Sequence, residues 1–139
     1  MKFMIVFFRK YKEIIMFGIF GILTTLINVI SFYIFHFYIN YLLSNAIAWL
    51  ISILFAYITN RMYVFNSTVS GLKNIIKEFN LFLISRLLSG VLDMALMFIF
   101  IDFLHWDNFS SKVLVNIFVV ITNYLFSKLL VFNLRGNDN

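Results

Sequence analysis

Four apolar stretches separated by short polar breaks dominate the chain, at roughly residues 14–37, 41–60, 79–101 and 113–132. Each is close to the ~20 residues an α-helix needs to cross ~30 Å of hydrocarbon, so the pattern predicts four transmembrane helices. The few small or polar residues inside them keep helical spacing. They are Gly21, Thr25 and Asn28 in the first span and Asn45, Ala48, Ser52, Ala56 and Thr59 in the second. The third has Arg86, Ser89, Gly90 and Asp93, and the fourth Asn116, Asn123 and Ser127. Every span thus carries one stripe that, in lipid, lets helices approach closely and hydrogen-bond to one another.

Two further segments are amphipathic. From residue 66 to the start of the third span, Leu72, Ile75, Ile76 and Phe79 recur at helical spacing against Lys73, Asn74, Lys77 and Glu78. This segment either lies along the membrane surface against anionic headgroups or is a linker with a helical start to the third span. The first dozen residues, apolar from Phe3 to Phe8 and basic at Arg9, Lys10 and Lys12, admit the same two readings. No small-residue cleavage site follows the first apolar stretch, which is expected to remain as a span.

Composition agrees with the pattern: 63% hydrophobic residues and 12% charged ones, with a mean hydropathy of +0.96, leave too little polar surface for a water-soluble core. The net charge of +5 matters through its placement. Lys2, Arg9, Lys10 and Lys12 precede the first span, Arg61, Lys73 and Lys77 lie about the middle connector, and Lys128 and Arg135 lie at the C-terminal end. The first connector has no Lys or Arg and the third has one. Under the positive-inside rule both chain ends are cytoplasmic, in a multi-pass protein of the plasma membrane. Cysteine is absent, which removes disulfides and thiolate chemistry, and proline is absent, so straight helices are expected.

The two halves of the chain repeat. At an offset of 65, Thr24, Thr25 and Asn28 fall on Ser89, Gly90 and Asp93. At an offset of 67, the stretch Asn60-Arg61-Met62-Tyr63-Val64-Phe65-Asn66 falls on Ser127-Lys128-Leu129-Leu130-Val131-Phe132-Asn133. Each even-numbered span ends in a cation, two bulky residues and Val-Phe-Asn. Because each unit has two spans, both enter from the same side, so the fold class predicted is an all-α membrane protein built of two helix hairpins in parallel repeat.

Ionisable residues at bilayer depth are costly and usually serve function. Arg86 and Asp93, seven residues apart on one face of the third span, lie about 10 Å apart along its axis, so each needs a partner on another element. Counted from the cytoplasmic ends, Asp93, Asn28 and Asn116 form a polar layer, whereas Arg61, Arg86 and Lys128, with Asn123 just above, form a cationic one nearer the inner leaflet. His36 and His105 sit in the outer connectors beside Tyr41 and Trp106, where interfacial placement explains them. No metal-ligand spacing, nucleotide-binding loop or nucleophile elbow occurs, so no cofactor, metal, nucleic acid or catalysis by the isolated chain is expected.

The whole chain, residues 1–139, resembles a single domain of the GtrA-like family, small four-helix membrane proteins of bacterial envelope polysaccharide and teichoic acid glycosylation. The resemblance rests on length, topology, Phe17, Gly18 and Gly21 in the first helix, and Asn60-Arg61-Met62-Tyr63-Val64-Phe65, similar to the family's Asn-Arg-x-Trp-Val-Phe. Asn123 and Lys128-Leu129-Leu130-Val131-Phe132 look like a second copy. Tyr63 stands where the family has Trp, and Lys128 where Arg is usual. The resemblance implies flipping or other handling of a polyprenyl-phosphate-linked monosaccharide. Arg61, Arg86 and Lys128 would then hold the phosphate, while Asn28, Asp93, Asn116 and Asn123 would face the sugar. The alternative is a non-transporting module that anchors or supports a glycosyltransferase partner. A four-helix proton antiporter ranks last, because the first span has Asn28 where that class carries a carboxylate. Contact with membrane lipids follows in any case, and the narrow space within four helices is compatible with a homodimer.

Overall fold

In the computed structural model, which describes residues 1–132, the chain is helical and no strand occurs among those residues. Asn133 and Arg135 lie outside the described residues. Helix α1 covers Lys2–His36, α2 Tyr41–Thr59, α3 Leu72–Phe98 and α4 Asn108–Phe126. Three of them continue into a π-helical turn: α2 into Asn60–Val64, α3 into Ile99–Phe103 and α4 into Ser127–Val131. The four continuous helical segments are 35, 24, 32 and 24 residues long. All are long and apolar enough to cross a membrane.

The helices overrun the predicted spans mainly at the basic ends. Helix α1 starts at Lys2, and α3 starts at Leu72. The basic stretch before the third span is therefore a short linker followed by a helical start, continuous with the span. Gly71, at φ +88°, turns the chain into α3. Helices α2 and α4 begin at matched caps: Asn40 Oδ1 accepts from Leu43 N–H at 2.9 Å, and Asp107 Oδ2 accepts from Ser110 N–H at 2.8 Å. Both satisfy a backbone donor that the first helical turn leaves without a carbonyl. The cap at Asp107 places Lys112 inside α4, whereas the sequence pattern assigns it to the connector.

The chain forms two compact units, one of residues Met1–Ser67 and the other from Thr68 onward. Within each, two long helices pack as a hairpin followed by a π turn. Internal detail repeats with the offsets read from sequence. Phe17 meets Phe65 at 6.3 Å and 58°, and Phe82 meets Phe132 at 6.2 Å and 58°. Ser44 and Ser111, Ala48 and Val115, Asn60 and Ser127, and Val64 and Val131 are all buried at equivalent positions. The π turns also match: Phe65 N–H donates to Asn60 C=O and Phe132 N–H to Ser127 C=O, each at 2.9 Å. A bond spanning five residues inserts one extra residue per turn. The absence of proline therefore does not leave the helices regular to their ends.

Candidate functional site

Arg61 and Lys128 are each the second residue of a π turn. Such turns interrupt the side-chain stripe of an α-helix and are frequent at functional sites. In the first unit, Arg61 Nη1 donates to Ser67 Oγ at 3.4 Å, and Ser67 N–H donates to Arg61 C=O at 2.8 Å. Asn66, at φ +46°, supplies the reversal that allows both. In the second unit, Lys128 Nζ donates to Tyr124 Oη at 3.3 Å, one turn earlier on α4.

Arg86 lies one turn beyond Phe82 on α3, and its guanidinium sits over the Phe82 ring, 4.7 Å from the centroid. The contact sets a cation against the electron-rich face of the ring, which steadies the group. The Phe82–Phe132 pair sets the register of the second hairpin. Arg86 is four residues past Phe82, Lys128 four residues before Phe132, and α3 and the π turn after α4 run in opposite directions. The backbone positions of both residues therefore stand at one level, about 6 Å beyond the ring pair, from which the Arg86 guanidinium reaches back to the Phe82 ring and the Lys128 ammonium back to Tyr124. The same construction in the first unit sets Arg61 level with Gly21, where an added Cβ would meet nothing within 4 Å.

The remaining polar positions separate. Asn28 Nδ2 donates to Ser52 Oγ at 3.2 Å in the first unit. Ser89 Oγ, buried on α3, donates to Asn123 Oδ1 of α4. Asn116 is exposed on α4. The partner of Asp93 is Lys112, whose Nζ lies 3.0 Å from Oδ1 and 3.2 Å from Oδ2. The sequence pattern missed that partner by ending the connector at Lys112. It also placed Glu78 on a polar face, whereas the structure buries it completely. A signal was available: Lys12-Glu13 and Phe17 fall on Lys77-Glu78 and Phe82 at the offset of 65. That match marks Glu78 as part of the repeated unit rather than of a linker. Among the described residues no cluster of His, Cys, Asp or Glu could hold a metal ion.

Comparison with known sequences gives this repeated hairpin a family. Residues 16–132 match the family described as GtrA/DPMS, transmembrane domain. The chain belongs to that family. As a GtrA/DPMS protein with four helices of spanning length, it is a multi-pass membrane protein. The matched region begins one residue before Phe17 and closes on Phe132, so it is bounded by members of the two ring pairs that set the register of the hairpins. Among its GtrA/DPMS relatives, the uncharacterized membrane protein YwcD of Bacillus subtilis is 39% identical over 119 residues, covering 84% of this chain and 94% of YwcD. The cell wall teichoic acid glycosylation protein GtcA of Listeria monocytogenes is 36% identical over 128 residues, or 91% of this chain and 88% of GtcA. GtcA of Listeria innocua is 37% identical over 125 residues, covering 88% and 86%.

Proposed function

We propose that this GtrA/DPMS protein serves cell-envelope polysaccharide glycosylation by moving a polyprenyl-phosphate-linked monosaccharide across the plasma membrane. The observation that carries the reading is the pair Arg86 and Lys128, two cationic residues whose backbone positions stand at one level on facing helices of one hairpin. A phosphate leaving water needs charged hydrogen-bond donors to replace its hydration, and the isoprenoid chain can remain in lipid meanwhile. Arg86, steadied by the Phe82 ring, offers a planar set of N–H donors, and Lys128 adds a point charge on a flexible stem. Arg61 occupies the register position of Lys128 in the first unit and supplies the same charge there. Asn123, held by Ser89, and Asn28, held by Ser52, offer amide groups toward sugar hydroxyls. The relatives named for teichoic acid glycosylation support the same pathway class. With no energy-coupling motif in the chain, net movement follows the lipid-sugar gradient and its consumption outside.

Uptake of radiolabelled citronellyl-phosphate glucose, a short water-soluble analogue, into proteoliposomes tests the reading. Wild-type protein should accelerate uptake over empty liposomes, and Arg86→Ala should abolish the acceleration while eluting as folded protein. Unaccelerated uptake with the wild type, together with a stable complex with a glycosyltransferase, would favour the non-transporting role. Wild-type uptake by Arg86→Ala would remove the phosphate clamp.

A further inference from the structure

The second unit holds a charged pair that the phosphate clamp does not use. Lys112 Nζ donates to both carboxylate oxygens of Asp93, at 3.0 and 3.2 Å. The two side chains remain 50% and 28% exposed, respectively. Lys112 is four residues into α4, about 6 Å from its start, and Asp93 is ten residues before the π turn ends at Phe103, about 15 Å from that end. The pair therefore lies in the half of the hairpin remote from the basic ends. Among the described residues of this hairpin, Lys112 is the one Lys or Arg in that half.

The repeat shows what this pair is not needed for. At the offset of 65, Asp93 corresponds to Asn28, and at the offset of 67, Lys112 corresponds to Asn45. The first unit makes the same hairpin, with the same caps, ring pair and π turn, from two uncharged amides at these places. A hairpin of this design closes without an ion pair there, and placing two charges at membrane depth carries a cost that packing does not require.

We propose that Lys112 is an outer phosphate station, which receives the phosphate of the polyprenyl-linked sugar as it reaches the side opposite the clamp. Asp93 is its resting counter-ion. The inference rests on the transport reading above and adds the place where the headgroup is delivered. At rest the pair is neutral, which makes it tolerable in a low-dielectric setting. The ammonium sits on a flexible four-carbon stem with three donors, so an arriving phosphate can take Lys112 from the carboxylate. Asp93 is then left to accept from sugar hydroxyls at the same level.

The chain has no cysteine, so K112C carries a single thiol that can be given either charge state. In D93N/K112C, where no ion pair can form, capping with methyl methanethiosulfonate leaves the position neutral, and 2-aminoethyl methanethiosulfonate restores an ammonium. With citronellyl-phosphate glucose as probe, the neutral adduct should take it up about tenfold more slowly than wild type, the loss expected for one charge-assisted hydrogen bond. The aminoethyl adduct should recover most of the wild-type rate. Wild-type uptake by the neutral adduct would overturn the proposal, as would rescue by aminoethylation only when Asp93 is retained, since the pair would then be structural. A neutral adduct that no longer elutes as folded protein assigns Lys112 to stability and overturns it equally. Failure of the wild type to take up the probe refutes the transport reading itself, which distinguishes it from these outcomes.

Discussion

Replacing Phe82 by Leu and Arg86 by Met, singly and together, measures how firmly the structure holds its membrane-embedded guanidinium. Phe82 is completely buried, packs on Phe132 at 6.2 Å and lies under the Arg86 guanidinium at 4.7 Å. In lipid, exchanging Phe for Leu loses little transfer energy, because the surroundings are as apolar as the interior. What is lost is the aromatic pair, about 1 kcal/mol, and the contact of a desolvated cation with the ring, about 1–2 kcal/mol. Phe82→Leu should therefore cost about 2–3 kcal/mol, of which about 1–2 kcal/mol should reappear as coupling with Arg86→Met in a double-mutant cycle. Reversible unfolding of the four proteins by SDS in mixed micelles, followed by circular dichroism, gives the coupling directly. Additive costs, with coupling below about 0.3 kcal/mol, would mean that the ring does not position Arg86 and would refute the reasoning.

Other outcomes follow from the caps, the linker and the carboxylates. Asn40→Ala should destabilise the protein by about 1 kcal/mol in the same unfolding assay, through the lost acceptor for Leu43 N–H. The Asp107 carboxyl is held below its usual range, chiefly by the hydrogen bond from the Ser110 backbone N–H. A depressed folded-state pKa gives stability that is complete above the unfolded value and is lost as pH falls through the folded one. Thermal unfolding in detergent should therefore weaken below about pH 4, and Asp107→Asn should flatten that dependence. Gly71→Ala puts a side chain at φ +88° and should cost about 1 kcal/mol or more, read from the same thermal shift.

The spans and the repeat were legible because they depend on composition and periodicity, which the membrane enforces residue by residue. The boundaries were less so. Hydropathy marks where a helix leaves hydrocarbon rather than where its hydrogen bonds stop, which is why α1 and α3 begin well before their apolar stretches. Lys112 shows the cost of that difference. A span assigned from residue 113 leaves Lys112 in a connector, whereas the Asp107 side chain, three residues before Ser110, is a helix-start signal that moves it inside α4. With Lys112 in the helix, Asp93 acquires its partner. The π turns had no comparable signature, since a five-residue hydrogen bond is a backbone choice made by packing. The matched cation, Val and Phe at their ends marked the place without giving the geometry. Glu78 was misplaced because a carboxylate beside lysines reads as solvated surface, and only its correspondence with Glu13 indicates otherwise.

The central claim is that the cations of the repeated hairpins bind a lipid phosphate, and native mass spectrometry of the purified protein tests it most directly. Undecaprenyl phosphate and undecaprenol, which share the isoprenoid chain and differ only in the phosphate, would be offered in equal amounts to the wild type, Arg86→Ala and Lys128→Ala. The account expects the wild type to retain the phosphate lipid in clear preference to the alcohol, and each substitution to erode that preference. Equal retention of both lipids, or an undiminished preference in Arg86→Ala, would contradict it.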